Sequence, residues 1–292
     1  MSILVDEATR VVVQGATGYQ GRFHVQAIQE FGGTVVAGVT PGKGGEAVHG
    51  VPIYDTMQAS MEQEPNVSLV LVPAPHAQDA VFEALDAGIQ LVVVVTDGVP
   101  LHDAMDMVHY ARCHGATLVG PNCPGIVSPG KAKVGIIPNR FFIEGCIGVA
   151  SRSGTLTYEV VNALSEAGLG QSTVVGLGGD PVIGTSFCEM LAGFNEDPAT
   201  DAVVLVGEIG GTTEHQAAAF IANEMDKPVY GYIAGRSAPP GQRMGHAGAI
   251  ISGHREDAAT KITALEDAGV TMASFPHDIP ELIRDDGATA TN

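Results

Sequence analysis

The segment Val-Val-Val-Gln-Gly-Ala-Thr-Gly-Tyr-Gln-Gly at residues 11–21 joins a β-branched run to a glycine-rich turn. Three successive valines are typical of a buried strand, and glycines at 15, 18 and 21 allow a tight turn into a helix. Free backbone N–H groups at the start of such a helix can bind a phosphate. The segment predicts either a site for a nucleotide-like phosphate or a plain strand-to-helix turn, and alone it supports the two equally.

The second predicted strand argues against a nicotinamide dinucleotide as the ligand. A dinucleotide site places a carboxylate about 20 residues after the glycines, where it binds a ribose hydroxyl. Here the strand at 34–39 is followed by Thr-Pro-Gly-Lys-Gly-Gly, in which Lys43 takes the place of the acid. A contact between Lys43 and a ligand phosphate is favoured over a solvated loop lysine. The pattern therefore disfavours a nicotinamide dehydrogenase.

Short β-branched runs alternate with amphipathic segments along the chain. Several of these segments end in Ala-Gly, as at Ala87-Gly88, where glycine supplies the left-handed residue that closes a helix. Strands separated by helices form right-handed βαβ units and parallel sheets, so we expect an α/β fold. The runs lie at 11–13, 34–39, 68–72, 91–95, 117–119, 147–150, 173–176, 202–206, 228–233 and 271–274.

A stretch rich in proline and glycine, from 120 to 145, interrupts this alternation. It predicts an interdomain connection that contains a short hairpin around Gly130. We expect two domains with mainly parallel sheets: a Rossmann-like domain at 1–122 and a flavodoxin-like domain at 146–292, joined by a connection at 123–145.

The composition excludes several classes of function. The chain has 292 residues, 45% of them hydrophobic, which suffices for one large or two ordinary domains. Its net charge of −19 disfavours binding to nucleic acid or to an anionic membrane, because both require basic residues to neutralise phosphates. Such acidity suits a protein that works at high salt, but acidic mesophilic enzymes also exist, and both origins stay open.

The sequence gives no sign of secretion, membrane insertion or bound metal. Residues 1–10 are polar and acidic, unlike a secretory signal, and the longest apolar run, at 91–95, is too short to span a bilayer. The cysteines fit no CxxC or zinc pattern, which favours reduced thiols in the cytoplasm, or in the mitochondrial matrix of a eukaryotic host. They are Cys113, Cys123, Cys146 and Cys188.

The segment 148–159 predicts a strand, a turn of small residues and the start of a helix. Ser153 or Thr155 can cap this helix, and the free N–H groups of its first turn can bind a phosphate. A capped helix with nothing bound is the common alternative. Arg152 in the turn favours the anion site.

A lone histidine stands among small residues in Met-Gly-His-Ala-Gly-Ala-Ile at 244–250. Small neighbours leave the imidazole of His246 open to a large group, as a nucleophile requires, and an acceptor on the other nitrogen would fix its tautomer. Glu208, which follows a buried strand and lies between glycines, could be that acceptor. The alternative is a loop histidine and a charge at a helix start.

These segments, in this order, resemble the succinyl-CoA synthetase α-subunit family over nearly the whole chain. The motifs are Pro-Gly-Lys-Gly-Gly at 41–45, Gly-Pro-Asn-Cys-Pro-Gly at 120–125, Ser-Arg-Ser-Gly-Thr-Leu-Thr-Tyr at 151–158 and Gly-His-Ala-Gly-Ala-Ile at 245–250. Together they are far more specific than any one of them.

The resemblance implies a role for each matching residue. Binding of CoA would involve Thr17, Gly18, Tyr19, Gln20, Lys43, Val95, Thr96, Asp97 and Cys123, with the last near the thiol. His246 would be phosphorylated, Glu208 would orient it, and the helix start Ser153-Gly154-Thr155 would hold the phosphate. Tyr158 would contact the small carboxylic acid.

The resemblance also implies a reaction and a partner. Phosphate would pass from nucleoside triphosphate to histidine and then to the acid, and CoA would attack the acyl phosphate. No GxxxxGK[ST] loop occurs in the sequence, so ATP or GTP with Mg²⁺ would bind to a β subunit with an ATP-grasp fold. The complex would be αβ or (αβ)₂, and this chain would be inactive alone.

Three departures from the family pattern leave alternatives open. Asp97 replaces a frequent glutamate, Tyr19 replaces a small residue, and Gly-His-Arg-Glu-Asp at 253–257 replaces Gly-Gly-Lys-Gly-Thr, which predicts a stiffer loop. A ligase for malate or citrate is one alternative. A CoA-binding regulator without catalysis is another, although the presence of both His246 and Glu208 argues against it.

Overall fold

The computed structural model describes residues 2–287, which divide into two compact units. The first unit contains residues 4–139 and the short segment 182–185, and the second contains the other described residues. Met1 and residues 288–292, the outer ends of the two predicted domains, lie outside the described part. The predicted boundaries at 122 and 145 stay predictions.

The first unit is built on a twisted sheet with helices between its strands. The strands are β1 (Arg10–Gln14), β2 (Thr34–Val39), β3 (Ala47–Val48), β4 (Val51–Tyr54), β5 (Val67–Val70), β6 (Leu91–Val94) and β7 (Thr117–Val119). Their order is β3-β4-β2-β1-β5-β6-β7, and only β3 and β4 pair antiparallel. Without β3 this is the strand order of a Rossmann fold, which confirms the prediction.

Helices cover this sheet and exclude water from it. They are α1 (Tyr19–Glu30), α2 (Met57–Ser60), α3 (Ala77–Asp86) and α4 (Leu101–Cys113). Val12, Val70 and Val92 are wholly buried in the strands, and Val81 and Met107 pack against them from α3 and α4. Full burial of such a side chain contributes about 1.5–3 kcal/mol, so the valine-rich strands are stable only inside the sheet.

A hairpin follows the last strand of the first sheet. Its strands, β8 (Gly125–Ser128) and β9 (Ala132–Gly135), pair antiparallel, and Gly130 in the turn has a φ of +73°. The prediction of a hairpin around Gly130 is therefore confirmed. The buried ammonium of Lys133 in β9 donates to Asn139 Oδ1 at 2.6 Å.

The segment 182–185 returns to the first unit after the chain has entered the second. Gly184 N donates to Gly120 O at 2.8 Å, and Thr185 Oγ1 donates to Leu118 O at 2.7 Å. The chain therefore contributes to the first unit twice.

The second unit repeats the alternation of strands and helices. In chain order it contains β10 (Glu144–Ser151), α5 (Gly154–Glu166), β11 (Gln171–Gly176), α6 (Phe187–Glu196), β12 (Ala202–Glu208), α7 (Thr213–Glu224), β13 (Val229–Ala234), α8 (Ala258–Asp267), β14 (Thr271–Met272) and α9 (Ile279–Asp285). These strands are parallel in the order β14-β13-β12-β10-β11. This is the flavodoxin-like order, as predicted.

Glycine closes the helices as the Ala-Gly pattern predicts. Gly88, Gly168 and Gly269 follow α3, α5 and α8 with φ values of +95°, +75° and +88°. None of the helices in residues 2–287 is long and apolar enough to cross a bilayer.

Candidate active site

The predicted catalytic residues lie at one edge of the sheet in the second unit. Glu208 is the last residue of β12, and His246 lies in the segment that connects β13 to α8. The neighbouring strand β10 ends at Ser151, directly before the start of α5. The carboxyl ends of parallel strands form the edge at which open α/β sheets bind ligands.

His246 and Glu208 form a direct contact, as the sequence predicts. His246 Nδ1 lies 2.8 Å from Glu208 Oε2, and the carboxylate is buried while the histidine side chain is 28% exposed. A carboxylate at Nδ1 favours a proton on that nitrogen, which leaves the lone pair on Nε2. The imidazole therefore has one nitrogen oriented by the protein and one available for chemistry.

The charges around His246 favour its protonated form. The hydrogen bond to Glu208 raises the pKa of His246, burial opposes this rise, and the nearby Arg152 and Asp180 lower and raise it respectively. A positive imidazole, whether protonated or phosphorylated, is thus stabilised by the adjacent carboxylate.

The chain leaves room for the imidazole by having glycine at position 179. A Cβ atom there would lie 2.4 Å from both Cγ and Nδ1 of His246, which is far inside van der Waals contact. Gly248 N donates to Gly179 O at 3.1 Å, and this hydrogen bond holds the histidine segment against the loop that follows β11. Gly179 was not predicted as part of the site.

The start of α5 has the geometry of a capped helix. Ser153, not Thr155, is the cap: its Oγ accepts from Leu156 N at 3.3 Å. Thr157 Oγ1 donates back to Ser153 O at 2.5 Å, which stiffens the turn. Gly154 and Thr155 form the first turn, whose N–H groups and helix dipole favour an anion.

Arg152 makes its contacts with groups of the protein. Its guanidinium is buried, with 4% of the residue exposed, and donates to Glu214 Oε1 and to Gly210 O, both at 3.0 Å. It also lies 3.5 Å from Glu208 Oε1. The arginine is thus paired with carboxylates of the protein.

Tyr158 and the loop at 253–257 complete this region. The ring of Tyr158 stacks on Phe141, with 6.2 Å between the ring centroids. Glu256 closes the loop, because its Oε2 accepts from Ser252 N at 2.6 Å, and Asp257 Oδ1 caps α8 by accepting from Thr260 N at 2.8 Å. Glu256 and Asp257, two of the residues that depart from the family pattern, therefore have local structural roles.

The predicted CoA loop of the first unit is formed mainly by backbone. Gly18 N donates to Gly15 O at 3.1 Å, and α1 starts without a side-chain cap, so its first N–H groups stay available. Thr17 is half-buried and Gly18, Tyr19 and Gln20 are exposed, with Tyr19 at 84%. A Cβ atom on Gly21 would lie 2.2 Å from Gly15 O, so only glycine lets α1 pack this closely.

A cavity of 490 Å³ lies next to this loop, at the carboxyl ends of β1, β2 and β5. It is lined by Gln14, Gly15, Val39, Thr40, Pro41, Val72, Pro73, His76, Asp79, Ala80 and Glu83. None of the predicted CoA residues lines the cavity itself. Lys43 follows the lining residues of the β2 loop, and its exposed ammonium pairs with Glu46 at 3.2 Å.

The remaining predicted CoA residues meet near the end of β6. Thr96 Oγ1 donates to Val72 O at 2.7 Å, while Val95 is half-buried and Asp97 is exposed. Cys123 Sγ donates to Val94 O at 3.2 Å. Burial raises the pKa of the Cys123 thiol to about 12, so this thiol stays protonated and unreactive.

Two buried residues near Glu208 were missed by the sequence analysis. Glu214 at the start of α7 and Lys261 in α8 form an ion pair from which water is excluded. In the sequence they resemble an ordinary helix-start acid and an ordinary helix lysine. No group of three or more residues among 2–287 could hold a metal ion.

Two family models match the chain, one in each half. A CoA binding domain matches residues 6–98, and a CoA-ligase domain matches residues 150–271. These ranges contain the glycine turn and the histidine segment respectively.

Curated proteins similar to this chain match it over nearly its full length. Subunit alpha 2 of a succinate–CoA ligase [ADP-forming] from Archaeoglobus fulgidus is 56% identical and covers 97% of this chain and 99% of its own. The corresponding Aquifex aeolicus subunit alpha is 54% identical, with 97% and 94% covered.

A solved structure shows the same fold. An ATP citrate lyase from Methanosaeta concilii in complex with (3S)-citryl-CoA superposes with a TM-score of 0.90 at 24% identity. The match covers 97% of this chain and 50% of that one, so this chain spans half of the longer protein.

Proposed function

The chain belongs to the succinate–CoA ligase α-subunit family, and on this premise we propose that His246 carries the phosphoryl group in its reaction. As the α subunit of an acid–thiol ligase, it takes part in the reversible formation of succinyl-CoA. Its relatives are ADP-forming, and we propose ATP as the nucleotide for this chain as well.

The observation that carries the proposal is the 2.8 Å contact between His246 Nδ1 and Glu208 Oε2. With Nδ1 occupied, the Nε2 lone pair attacks the terminal phosphorus of the nucleotide, the N–P bond forms and the nucleoside diphosphate leaves. A succinate oxygen then attacks the same phosphorus, which breaks the N–P bond and gives an acyl phosphate. The CoA thiolate attacks the activated carbonyl carbon and releases inorganic phosphate.

Glu208 and the start of α5 would stabilise the phosphohistidine from two directions. The buried carboxylate of Glu208 balances the positive charge of the substituted ring. The backbone N–H groups after Ser153, at Gly154 and Thr155, suit the phosphoryl oxygens.

The first unit would bind CoA through its glycine turn and the cavity beside it. We propose that the turn at Thr17, Gly18, Tyr19 and Gln20 and the ammonium of Lys43 contact the CoA phosphates. The end of β6, at Val95, Thr96 and Asp97, would follow the rest of the cofactor, and Cys123 would lie near its thiol. The match of residues 6–98 to a CoA binding domain supports CoA binding by this unit.

Tyr158 and a second chain would complete the reaction. Tyr158 is the candidate contact for the carboxylic acid, since α5 places it within two turns of the capped helix start. A partner β subunit with an ATP-grasp fold would bind the nucleotide and Mg²⁺, in an αβ or (αβ)₂ complex. The name of the relatives, subunit alpha, supports the need for a partner. A cytoplasmic location stays a prediction.

The identity to succinate–CoA ligase subunits favours succinate over malate or citrate. The likeness to ATP citrate lyase, at 24% identity, shows the fold alone. A panel of the three acids, tested with the reconstituted complex, distinguishes these substrates directly.

The test of the phosphohistidine uses His246→Asn in the complex with the partner subunit and radiolabelled ATP. The wild-type chain should gain an acid-labile, base-stable phosphate, and the variant should gain none, because amide nitrogen is not nucleophilic. His254→Asn is the matched control, since His254 is exposed in the same segment. Retention of the label by His246→Asn would show that another residue carries the phosphate.

A further inference from the structure

A buried charge cluster lies beside Glu208 and has no part in the reaction described above. It consists of Arg152, Glu214 and Lys261, and the side chains of Glu214 and Lys261 have no exposed surface. Burial of three charges is unfavourable unless each is paired. Each charge of the cluster must therefore have a compensating contact or a functional role.

The cluster holds the backbone of Glu208 from both sides. Glu208 N donates to Glu214 Oε1 at 3.2 Å. Lys261 Nζ donates to Glu208 O and to Gly210 O, both at 2.7 Å, and it also donates to Glu214 Oε2. The end of β12 is therefore anchored to α7 and α8 by side chains rather than by strand pairing alone.

Arg152 lies between two carboxylates and makes its hydrogen bond to only one of them. Its NH1 group donates to Glu214 Oε1 at 3.0 Å, while its NH2 group is 3.5 Å from Glu208 Oε1. Among the described residues, Glu208 Oε1 is buried without a hydrogen-bond partner. A guanidinium prefers a bidentate contact with a carboxylate, so Glu208 and Glu214 compete for Arg152.

The charge of Glu214 decides this competition. Burial alone would raise its pKa, but the nearby Arg152 and Lys261 outweigh burial and hold the pKa of Glu214 below its ordinary value. Glu214 is therefore ionised at neutral pH. The carboxylates of Glu208 and Glu214 are then matched by the two cations Arg152 and Lys261. The charges beside the imidazole of His246 therefore sum to zero.

We propose that Glu214 is a positioning residue for the phosphorylation of His246, because it holds the Arg152 guanidinium away from Glu208. Glu208 then keeps its contact with the imidazole. The inference rests on the proposed phosphohistidine and assigns to that site a residue that touches neither histidine nor phosphate.

The variant Glu214→Gln removes the charge while keeping the size of the side chain. Arg152 should then turn to Glu208 and form the bidentate contact, which weakens the hold of Glu208 on His246. The groups that face His246 are Glu208, Arg152 and Asp180. When Arg152 balances the charge of the Glu208 carboxylate, that carboxylate raises the pKa of His246 less, so the pKa falls. Phosphorylation should slow on the order of tenfold to a hundredfold, because the imidazole is misplaced.

The experiment measures single-turnover phosphorylation by ATP, in the complex with the partner subunit, across a range of pH. In Glu214→Gln the acidic limb of the rate profile should move to lower pH, which loss of folded protein alone would not cause. Glu224→Gln, at the exposed end of the same helix, is the matched control. An unchanged limb in Glu214→Gln, with phosphate still absent from His246→Asn, overturns this inference and leaves the phosphohistidine intact.

A double variant keeps the test valid if Glu214→Gln does not fold. Glu214→Gln with Lys261→Gln removes one charge of each sign, and exchange of a buried ion pair for neutral groups is often tolerated. It also frees Arg152, so the rate should fall and the acidic limb should again move to lower pH. Wild-type rate and pH profile in the folded double variant would overturn the proposal.

Discussion

The glycine turn of the first unit and the histidine segment of the second are built from different groups. The turn at 15–21 presents backbone N–H groups and exposed side chains. The segment around His246 instead depends on side chains from β12, α7 and α8, most of them buried. A site made of backbone N–H groups binds phosphate oxygens, which many ligands contain. A site made of side chains instead sets the tautomer and the charge of one imidazole. The comparison suggests that binding and chemistry can be damaged separately.

The largest effect is expected for Gly179→Ala. The added methyl group would lie 2.4 Å from the His246 ring and must displace it from Glu208. Phosphorylation of His246 should fall on the order of a hundredfold, while the affinity of the first unit for CoA should stay unchanged. The measurements are single-turnover labelling and CoA titration by calorimetry.

Gly253→Ala is the control for this variant, since a Cβ atom there has 3.8 Å to its nearest neighbour. It should behave as the wild type. A loss of CoA affinity in Gly179→Ala would show that the two sites cannot be damaged separately.

The converse variant is Gly21→Ala in the glycine turn. Its Cβ atom would lie 2.2 Å from Gly15 O, so the turn and α1 must move apart, at a cost of about 1–3 kcal/mol in the free energy of unfolding. CoA affinity should fall by tenfold or more, whereas phosphorylation of His246 by ATP, which needs no CoA, should continue.

Gly18→Ala separates folding from binding in the same turn. A Cβ atom there lies at an ordinary 3.4 Å from Gly15 O. Its unfolding temperature should match the wild type, and any loss of CoA affinity then reports on the ligand alone. Normal CoA binding by Gly21→Ala would contradict the placement of the phosphates at this turn.

The smallest effect is expected for Glu208→Gln, which keeps a hydrogen-bond acceptor for Nδ1 and removes only the charge. Glu208 raises the pKa of His246, so the variant should lower it. Since Nε2 must be unprotonated to attack phosphorus, the rate rises with pH through this pKa, and in Glu208→Gln the rise should begin at lower pH. At neutral pH the rate should fall about tenfold, because the phosphorylated ring loses its counter-charge.

The measurement for this variant is again the rate of labelling against pH, with the unfolding temperature recorded beside it. A rise that begins at the wild-type pH would show that Glu208 does not set the charge of the imidazole. The histidine segment would then differ from the glycine turn in the shape of its site and not in its electrostatics.

Local signals made most of the fold predictable. The valine-rich runs became buried strands, and Ala-Gly pairs marked the ends of α3, α5 and α8, because strand burial and left-handed caps depend on a few adjacent residues. The helix α9, which follows the last expected strand, was not predicted. The strand expected at 271–274 has only two residues, since β14 pairs with one neighbour, β13, at the edge of the sheet.

The candidate site was predictable only where one segment contains the signal. The small residues around His246 and the capped start at Ser153 are each visible within a few positions. The pairing of Arg152 with Glu214 crosses 62 positions, and that of Lys261 with Glu214 crosses 47. Such contacts follow from the order of the strands and have no local pattern, which is why these two pairings were not predicted.

The return of residues 182–185 to the first unit limits how the protein can be recombined with its relatives. A chimera joined at a single crossover near residue 139 would take most of one half from each parent but would mix the parents within one unit. Its Gly184 and Thr185 would have to match the foreign main chain around positions 118–120. Exchange of the whole second unit between ligases therefore requires four coordinated crossovers, near residues 3, 139, 181 and 185, rather than one.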